Sequence, residues 1–307
     1  MEPARAARLS LLAALGIMVV WGCNFAVTKF VLDGIGVGTF LFVRFVAMVV
    51  LAAALLAYVF RRHPRRLLPR RADLPRFAAA GILGHFLHVG IVMWGIDLST
   101  AFSSSLVLTS APLFTLLILA AMGVERLHAR QVAGTLAAFA GIVLFLSDKF
   151  VAGFARAGFG DLALLAAAAI FSLYTVVSKP LAQRYGALML LGWSLAFGAP
   201  PMILLCLPAF LAADLGAVTP ALWLAVAWSV LMSSFLGWLV WTWVNAVRGV
   251  ARSAPLQYLM PPIAGVVAWL TLGESFTPLK LGAAAVVMGG VAWAQYGARA
   301  PAPPDSA

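Results

Sequence analysis

Charge is what this chain has least of. Only 10% of its 307 residues are Asp, Glu, Lys or Arg and 64% are hydrophobic, against roughly 25% and 45–50% in soluble domains. That balance excludes the water-soluble fold classes and puts the chain in lipid. Cysteine is nearly missing too. Cys23 and Cys206 each sit inside an apolar run, so there is neither a disulfide framework nor paired metal-ligand spacing, and both read as small core residues. No Asp or Glu falls at the middle of any apolar run, which removes the acidic proton relay common in pumps. A Gly-rich, Lys-bearing phosphate loop is also lacking, and with it any source of ATP hydrolysis. The net charge of +11 invites a nucleic-acid reading, but its distribution rejects one, because the basic residues fall in short loops between apolar runs.

What is there is a series of apolar runs of about 18 to 25 residues, long enough to cross a bilayer core as helices. Ten are expected, near 9–29, 37–60, 74–97, 101–122, 129–147, 160–179, 187–211, 219–246, 250–271 and 277–297. The first follows Arg5 and Arg8 and imitates a signal peptide; it is read as a span because its polar residues reappear in the second half. With the N-terminus cytoplasmic, Lys29, Lys149, Arg156 and Lys280 fall outside and Arg44 within a span, leaving the other sixteen of the 21 Lys and Arg on the inner side. The positive-inside rule then places both termini in the cytoplasm. Arg44 is expected near the outer surface, snorkelling or paired with Asp33.

One unit occurs twice. Pro112 and Glu125 lie thirteen residues apart, as do Pro261 and Glu274, 149 residues later. Gly134 and Gly141 are matched by Gly282 and Gly289 as positions where helices approach closely. The expected halves are residues 1–152 and 153–299, followed by a disordered tail at 300–307. Five spans per half is an odd number, so the second half enters the membrane from the opposite side. The fold class is therefore an all-α polytopic membrane protein with ten transmembrane helices in two inverted five-helix repeats.

Candidate binding residues come from polar and aromatic positions inside the spans. Trp21, Asn24 and Thr28 share one face of span one, and Phe171, Tyr174 and Ser178 repeat that spacing 150 residues on. Two such faces are what a midplane substrate site between repeats requires; the plainer alternative is that Asn24 and Tyr174 only join neighbouring helices. His85 and His88 in span three line the path or sense protons, or else bond to backbone carbonyls. Ser234, Trp238, Trp241 and Asn245 run along one face of span eight, where the indoles offer an apolar wall. Gln257 and Tyr258 precede Pro261 and Pro262, where regular helical bonding fails, and Ser105 and Thr109 are their counterparts in span four. Trp94 and Trp243 read as interfacial anchors. Glu125 and Glu274 read as ties between loops and helices.

The Trp21-Gly22-Cys23-Asn24-Phe25 opening with Lys29, Arg44-Phe45 in span two, the doubled Pro-to-Glu interval and the paired glycines together resemble the EamA family of the drug/metabolite transporter superfamily. The resemblance covers about Leu9 to Gln295. It implies an inner-membrane carrier with a central cavity between halves, exporting amino acids or similar small metabolites or drugs by alternating access or facilitated exchange. Its partners are then a small-molecule substrate and membrane lipid, with no nucleic acid, no cofactor and no metal, and a monomer as the working expectation. Ser194 stands where Arg44 would be in the second half, so any role of Arg44 is asymmetric. The rival from another class is an intramembrane lipid-modifying enzyme, for which His85 and His88 lack a nucleophile or carboxylate companion.

Overall fold

The computed structural model describes residues 3–62, 68–123, 128–151, 156–248 and 253–296, and no strand occurs among them. A chain surrounded by hydrocarbon must satisfy its backbone groups internally, and helices do so within each segment. In chain order the helices are α1 (Pro3–Ile35), α2 (Val37–Arg62), α3 (Leu74–Ala80), α4 (Val89–Leu98), α5 (Ala101–Leu108), α6 (Ala111–Ala121) and α7 (Ala129–Val151). The second part holds α8 (Arg156–Leu211), α9 (Pro220–Trp228), α10 (Gly237–Arg248), α11 (Met260–Leu272) and α12 (Pro278–Tyr296). Two π-helical stretches, Gly81–His88 and Ser229–Leu236, join α3 to α4 and α9 to α10 as continuous rods. Among the described residues seven helical runs are long and apolar enough to cross a membrane, and 256–272 and 278–294 are shorter apolar helices. The longest run, 158–211, turns at Gly186, whose φ of 79° no other residue type adopts comfortably, so it makes two arms.

The turns repeat. Left-handed glycines stand at 36 and 186, and again at 123 and 273, each pair 150 residues apart. The two π stretches are eight residues each and begin 148 residues apart. The prolines act differently from a simple kink. The run expected as an unbroken span at 101–122 is cut at Thr109 and Ser110 into α5 and α6, because Pro112 has no N–H to give and its ring displaces the carbonyl a turn earlier. In the second half Pro261 and Pro262 open α11 after a 3-10 turn over Ala254–Leu259, the position where a missing N–H costs nothing.

Tight backbone approaches set the packing. α7 and α12 meet where a side chain at Gly134 would strike Gly290 O at 2.6 Å and one at Gly290 would strike Ala138 N at 2.5 Å. Gly141 packs on Val287 in the same seam. The expected partners Gly282 and Gly289 have nothing within 4 Å; the close approach belongs to Gly290, one residue further on. One end of the bundle is tied across elements. Glu274 accepts from the N–H groups of Ala101 (2.6 Å) and Phe102 (3.3 Å), capping α5, where a carboxylate also complements the helix dipole. Ser99 and Ser103 both donate to Asp161, and Lys29 donates to Asp97 O at 2.6 Å. At the other end Arg184 and Tyr185 converge on Asp73 Oδ2 at 2.9 and 2.5 Å. Trp94 is 53% exposed, as an interfacial anchor would be, whereas Trp243 packs partly buried against the core. Glu125, the boundary near 152 and the tail from Ala300 lie outside the described residues.

Candidate functional site

Between α1, α2, the α3–α4 rod, α8, the α9–α10 rod and the start of α11 lies a cavity of about 640 Å³, within the range of small-molecule sites. Its lining reaches the exposed residues Lys179, Gln183 and Ala246, which mark the mouth. The buried Phe25, Arg44, Val92 and Ile96 stand deep within it. The blind end therefore points toward the Glu274 and Asp161 ties, and the mouth toward the end holding Arg184 and Arg248.

Three helical faces build the wall. α1 contributes Trp21, Asn24 and Phe25; α8 contributes Ala168, Phe171, Tyr174, Thr175 and Ser178; α10 contributes Trp238, Trp241, Thr242 and Asn245. The shared spacing of three, four and seven residues puts each set on one side of its helix. Trp238 is the hub, with ring centroids 5.3 Å from Tyr174, 6.2 Å from Phe171 at 90°, and 4.7 Å from His85. Trp21 meets Trp241 edge-on at 5.6 Å. Such pairs contribute beyond their buried area and keep the wall rigid. Two glycines admit the rings. Gly237 lets the Trp21 indole lie flush, since a Cβ there would fall 2.6 Å from its Nε1, and Gly84 lets Tyr174 lie against the other rod, with a Cβ 2.5 Å from its ring. Trp21 Nε1 donates to Ser233 O at 2.9 Å, a carbonyl that the π turn displaces from ordinary helical bonding.

The histidines separate. In the π stretch the i, i+3 spacing no longer keeps one face. His85 is 1% exposed and bonds Ser194 Oγ at 3.0 Å, away from the cavity. Ser194 gives its proton to Leu190 O at 2.6 Å, so His85 Nε2 is the donor. His88 does line the cavity, and its Nδ1 donates to Ala167 O at 3.0 Å, leaving Nε2 as an acceptor.

Of the expected site residues, Trp21, Asn24, His88, Phe171, Tyr174, Ser178, Trp238, Trp241 and Gln257 are brought together in the wall. Thr28, His85, Ser105, Thr109, Ser234 and Tyr258 are not part of the lining among the described residues. Thr28 stands behind Asn24, accepting from its Nδ2 at 2.9 Å. Ser105 and Thr109 return their hydroxyls to Phe102 O and Ser105 O on their own helix. Ser234 donates to Ser229 O at 2.7 Å, and its neighbour Ser233 lines the cavity instead. Tyr258 packs into the Phe102 cluster.

Arg44 was missed. It is 6% exposed, lines the cavity, and donates from Nη1 to Met93 Sδ at 3.7 Å. Asp33, its expected partner, lies 3.5 Å from Lys29. The signal available was the charge itself: a lone cation inside an apolar span is costly unless it faces a cavity or a partner. Thr175 and Thr242, whose hydroxyls can bond within their own helices, and Lys179 and Gln183, ordinary polar residues close to the Gly186 turn, were also missed.

A family model described as the EamA-like transporter family matches residues 8–147 and, a second time, 158–295. The chain is 31% identical over 278 residues to a probable terminal-alkyne amino-acid exporter of Streptantibioticus cattleyicolor, covering 89% of each. It is 27% identical over 291 residues to a probable amino-acid metabolite efflux pump of Salmonella typhimurium, covering 91% of this chain and 92% of the other. Its counterpart in Escherichia coli is 26% identical over 293 residues, covering 93% and 94%. A crystal structure 22% identical in sequence superposes with a TM-score of 0.60 over 94% of this chain and 97% of its own, which establishes the fold alone.

Proposed function

The chain belongs to the EamA-like transporter family, and from that premise we propose that it is a secondary carrier exporting amino acids or similar small metabolites across the inner membrane. The observation that carries this reading is the central cavity, walled by aromatic rings and hydrogen-bonding side chains from both halves of the chain, with the exposed Lys179, Gln183 and Ala246 in its lining. The two family matches, the glycines spaced 150 apart and the paired π stretches support ten spans in two inverted halves. In that count the two arms of α8 are separate spans and each π-containing rod is one. With both termini cytoplasmic, the mouth beside Lys179 and Gln183 faces the cytoplasm. The ties at Glu274 and Asp161 close the outer side, so the form described is the one that loads substrate for export. Rocking of one half against the other then opens the same site outward. Relatives named as exporters favour this reading over a lipid-modifying transferase.

Purified protein in liposomes should accelerate the flux of at least one amino acid or related amphipathic solute. Trp238→Ala and Asn24→Ala should each lower that flux by about tenfold while the protein remains folded, in line with the loss of one good polar or aromatic contact. Unchanged flux in both variants removes the cavity wall as the binding site.

A further inference from the structure

Arg44 is a charge whose position the fold leaves without a counterpart. It stands seven residues into α2, 6% exposed, in the deep part of the cavity wall. A guanidinium keeps its charge in a protein and offers five donors in a planar fork. Here Nη1 meets the soft sulfur of Met93 at 3.7 Å, and Nε has no hydrogen-bond partner. No Asp or Glu lines the cavity among the described residues. Packing does not demand the cation either, since Ser194 occupies the related position in the second half and satisfies a histidine instead.

A second unpartnered group lies within reach in depth. α1 and α2 form a hairpin about Gly36, with Arg44 eight residues after that turn and Asn24 twelve before it. The difference of four residues is about 6 Å along the helix axes. Asn24 gives its amide nitrogen to Thr28 Oγ1 at 2.9 Å, while its Oδ1 has no partner. The cavity thus holds an unpaired cationic fork, an unpaired acceptor about one helical turn farther from the α1–α2 turn and nearer the mouth, and an aromatic wall with Trp238 at its hub.

That set is complementary to a carboxylate and an ammonium carried near one another on a molecule with an apolar side chain. We propose that Arg44 anchors the carboxylate of the transported substrate. The fork takes the two oxygens, the ammonium faces Asn24 Oδ1 and the ring faces, and the side chain lies on Phe171, Tyr174 and Trp238. Because the described wall carries no carboxylate, the ammonium is held by dipoles and ring faces alone, and the carboxylate is the group the site cannot do without. This rests on the carrier reading and assigns its substrate class: zwitterionic amino acids with apolar side chains are carried, and their carboxamides and decarboxylated amines are not.

The test uses the full chain in liposomes and counterflow of whichever radiolabelled amino acid moves fastest among the twenty common ones. L-leucine, L-norleucine and L-phenylalanine compete, each beside its carboxamide and its deamino acid. On the wild-type protein, which involves no folding question, each acid should compete at least about tenfold better than its carboxamide. Arg44→Gln should lower counterflow by a similar factor, and Arg44→Lys should retain part of it, since an ammonium keeps the charge and loses the fork. Equal competition by acid and amide, or full counterflow in Arg44→Gln, overturns the anchor and leaves the carrier standing. Movement of amines or neutral solutes with no amino acid moved overturns the anchor and the amino-acid substrate together. If no solute of any class moves, the carrier reading itself fails, and the anchor with it.

Discussion

Replacing Arg44 by Met should make the protein more stable while lowering its counterflow by at least about tenfold. The side chain starts seven residues from the beginning of α2, about 10 Å along the helix at 1.5 Å per residue, in a hydrocarbon core about 30 Å thick. A charged side chain at the centre of that core costs roughly 2.5–3.5 kcal/mol on insertion scales. At about a third of the depth and beside a cavity the cost falls to about 1–2 kcal/mol. The protein recovers little of it, because the contact to Met93 Sδ is weak. Methionine matches the length, fills the space flexibly and removes the charge. Arg44→Met should therefore raise the unfolding free energy by about 1–2 kcal/mol, or the apparent melting temperature by about 1.5–3 °C for a chain of this size. The ten tryptophans make intrinsic fluorescence during a thermal ramp in detergent a suitable assay, with counterflow measured on the same preparation. A melting temperature lowered by more than about 2 °C would refute the reasoning, since it would mean that the guanidinium holds the fold together and is not kept for a ligand.

Two further outcomes test the packing behind the site. Gly290→Ala should destabilise the α7–α12 seam by about 2–3 kcal/mol, because the new methyl meets Ala138 N at 2.5 Å and Gly134 O at 2.8 Å, backbone atoms that no rotamer change can move. Gly289→Ala, inside α12 with nothing within 4 Å, should leave the melting temperature unchanged or slightly raised, and equal destabilisation in the two variants would break the assignment of the seam. Ser194→Ala removes the acceptor 3.0 Å from His85 Nε2 and should cost about 1–3 kcal/mol by stranding a buried imidazole N–H. The wild-type preference among competing solutes should be kept in that variant, because His85 lies behind the wall; a changed preference would place the histidine in the site.

Apolar runs of span length were enough to identify a helical membrane protein, because hydrophobicity is a local property that lipid reads directly. The transporter family came from the resemblance carried by the Trp21-to-Lys29 opening, Arg44-Phe45, the doubled Pro-to-Glu interval and the paired glycines, and the family match over both halves bears it out. Helical periodicity brought Trp21, Asn24, Phe171, Tyr174, Trp238 and Trp241 to one cavity, since α1, α8 and α10 are regular helices where those residues sit. It failed where the helix changed pitch or direction. The π turns at Gly81–His88 and Ser229–Leu236 sent His85 to Ser194 and exchanged Ser234 for Ser233 in the wall, and the break before Pro112 returned Ser105 and Thr109 to their own helix. Arg44 failed for another reason. A single charge in a span is legible as unusual, but whether it snorkels to the surface or faces a hollow depends on which helices stand around it, and that was decided only when α1, α2 and the α3–α4 rod came together in space. The sequence determined the solvent, the helices and the family; tertiary structure alone decided which polar atoms were left without partners, because a hydrogen bond to a distant helix leaves no periodic trace in the chain.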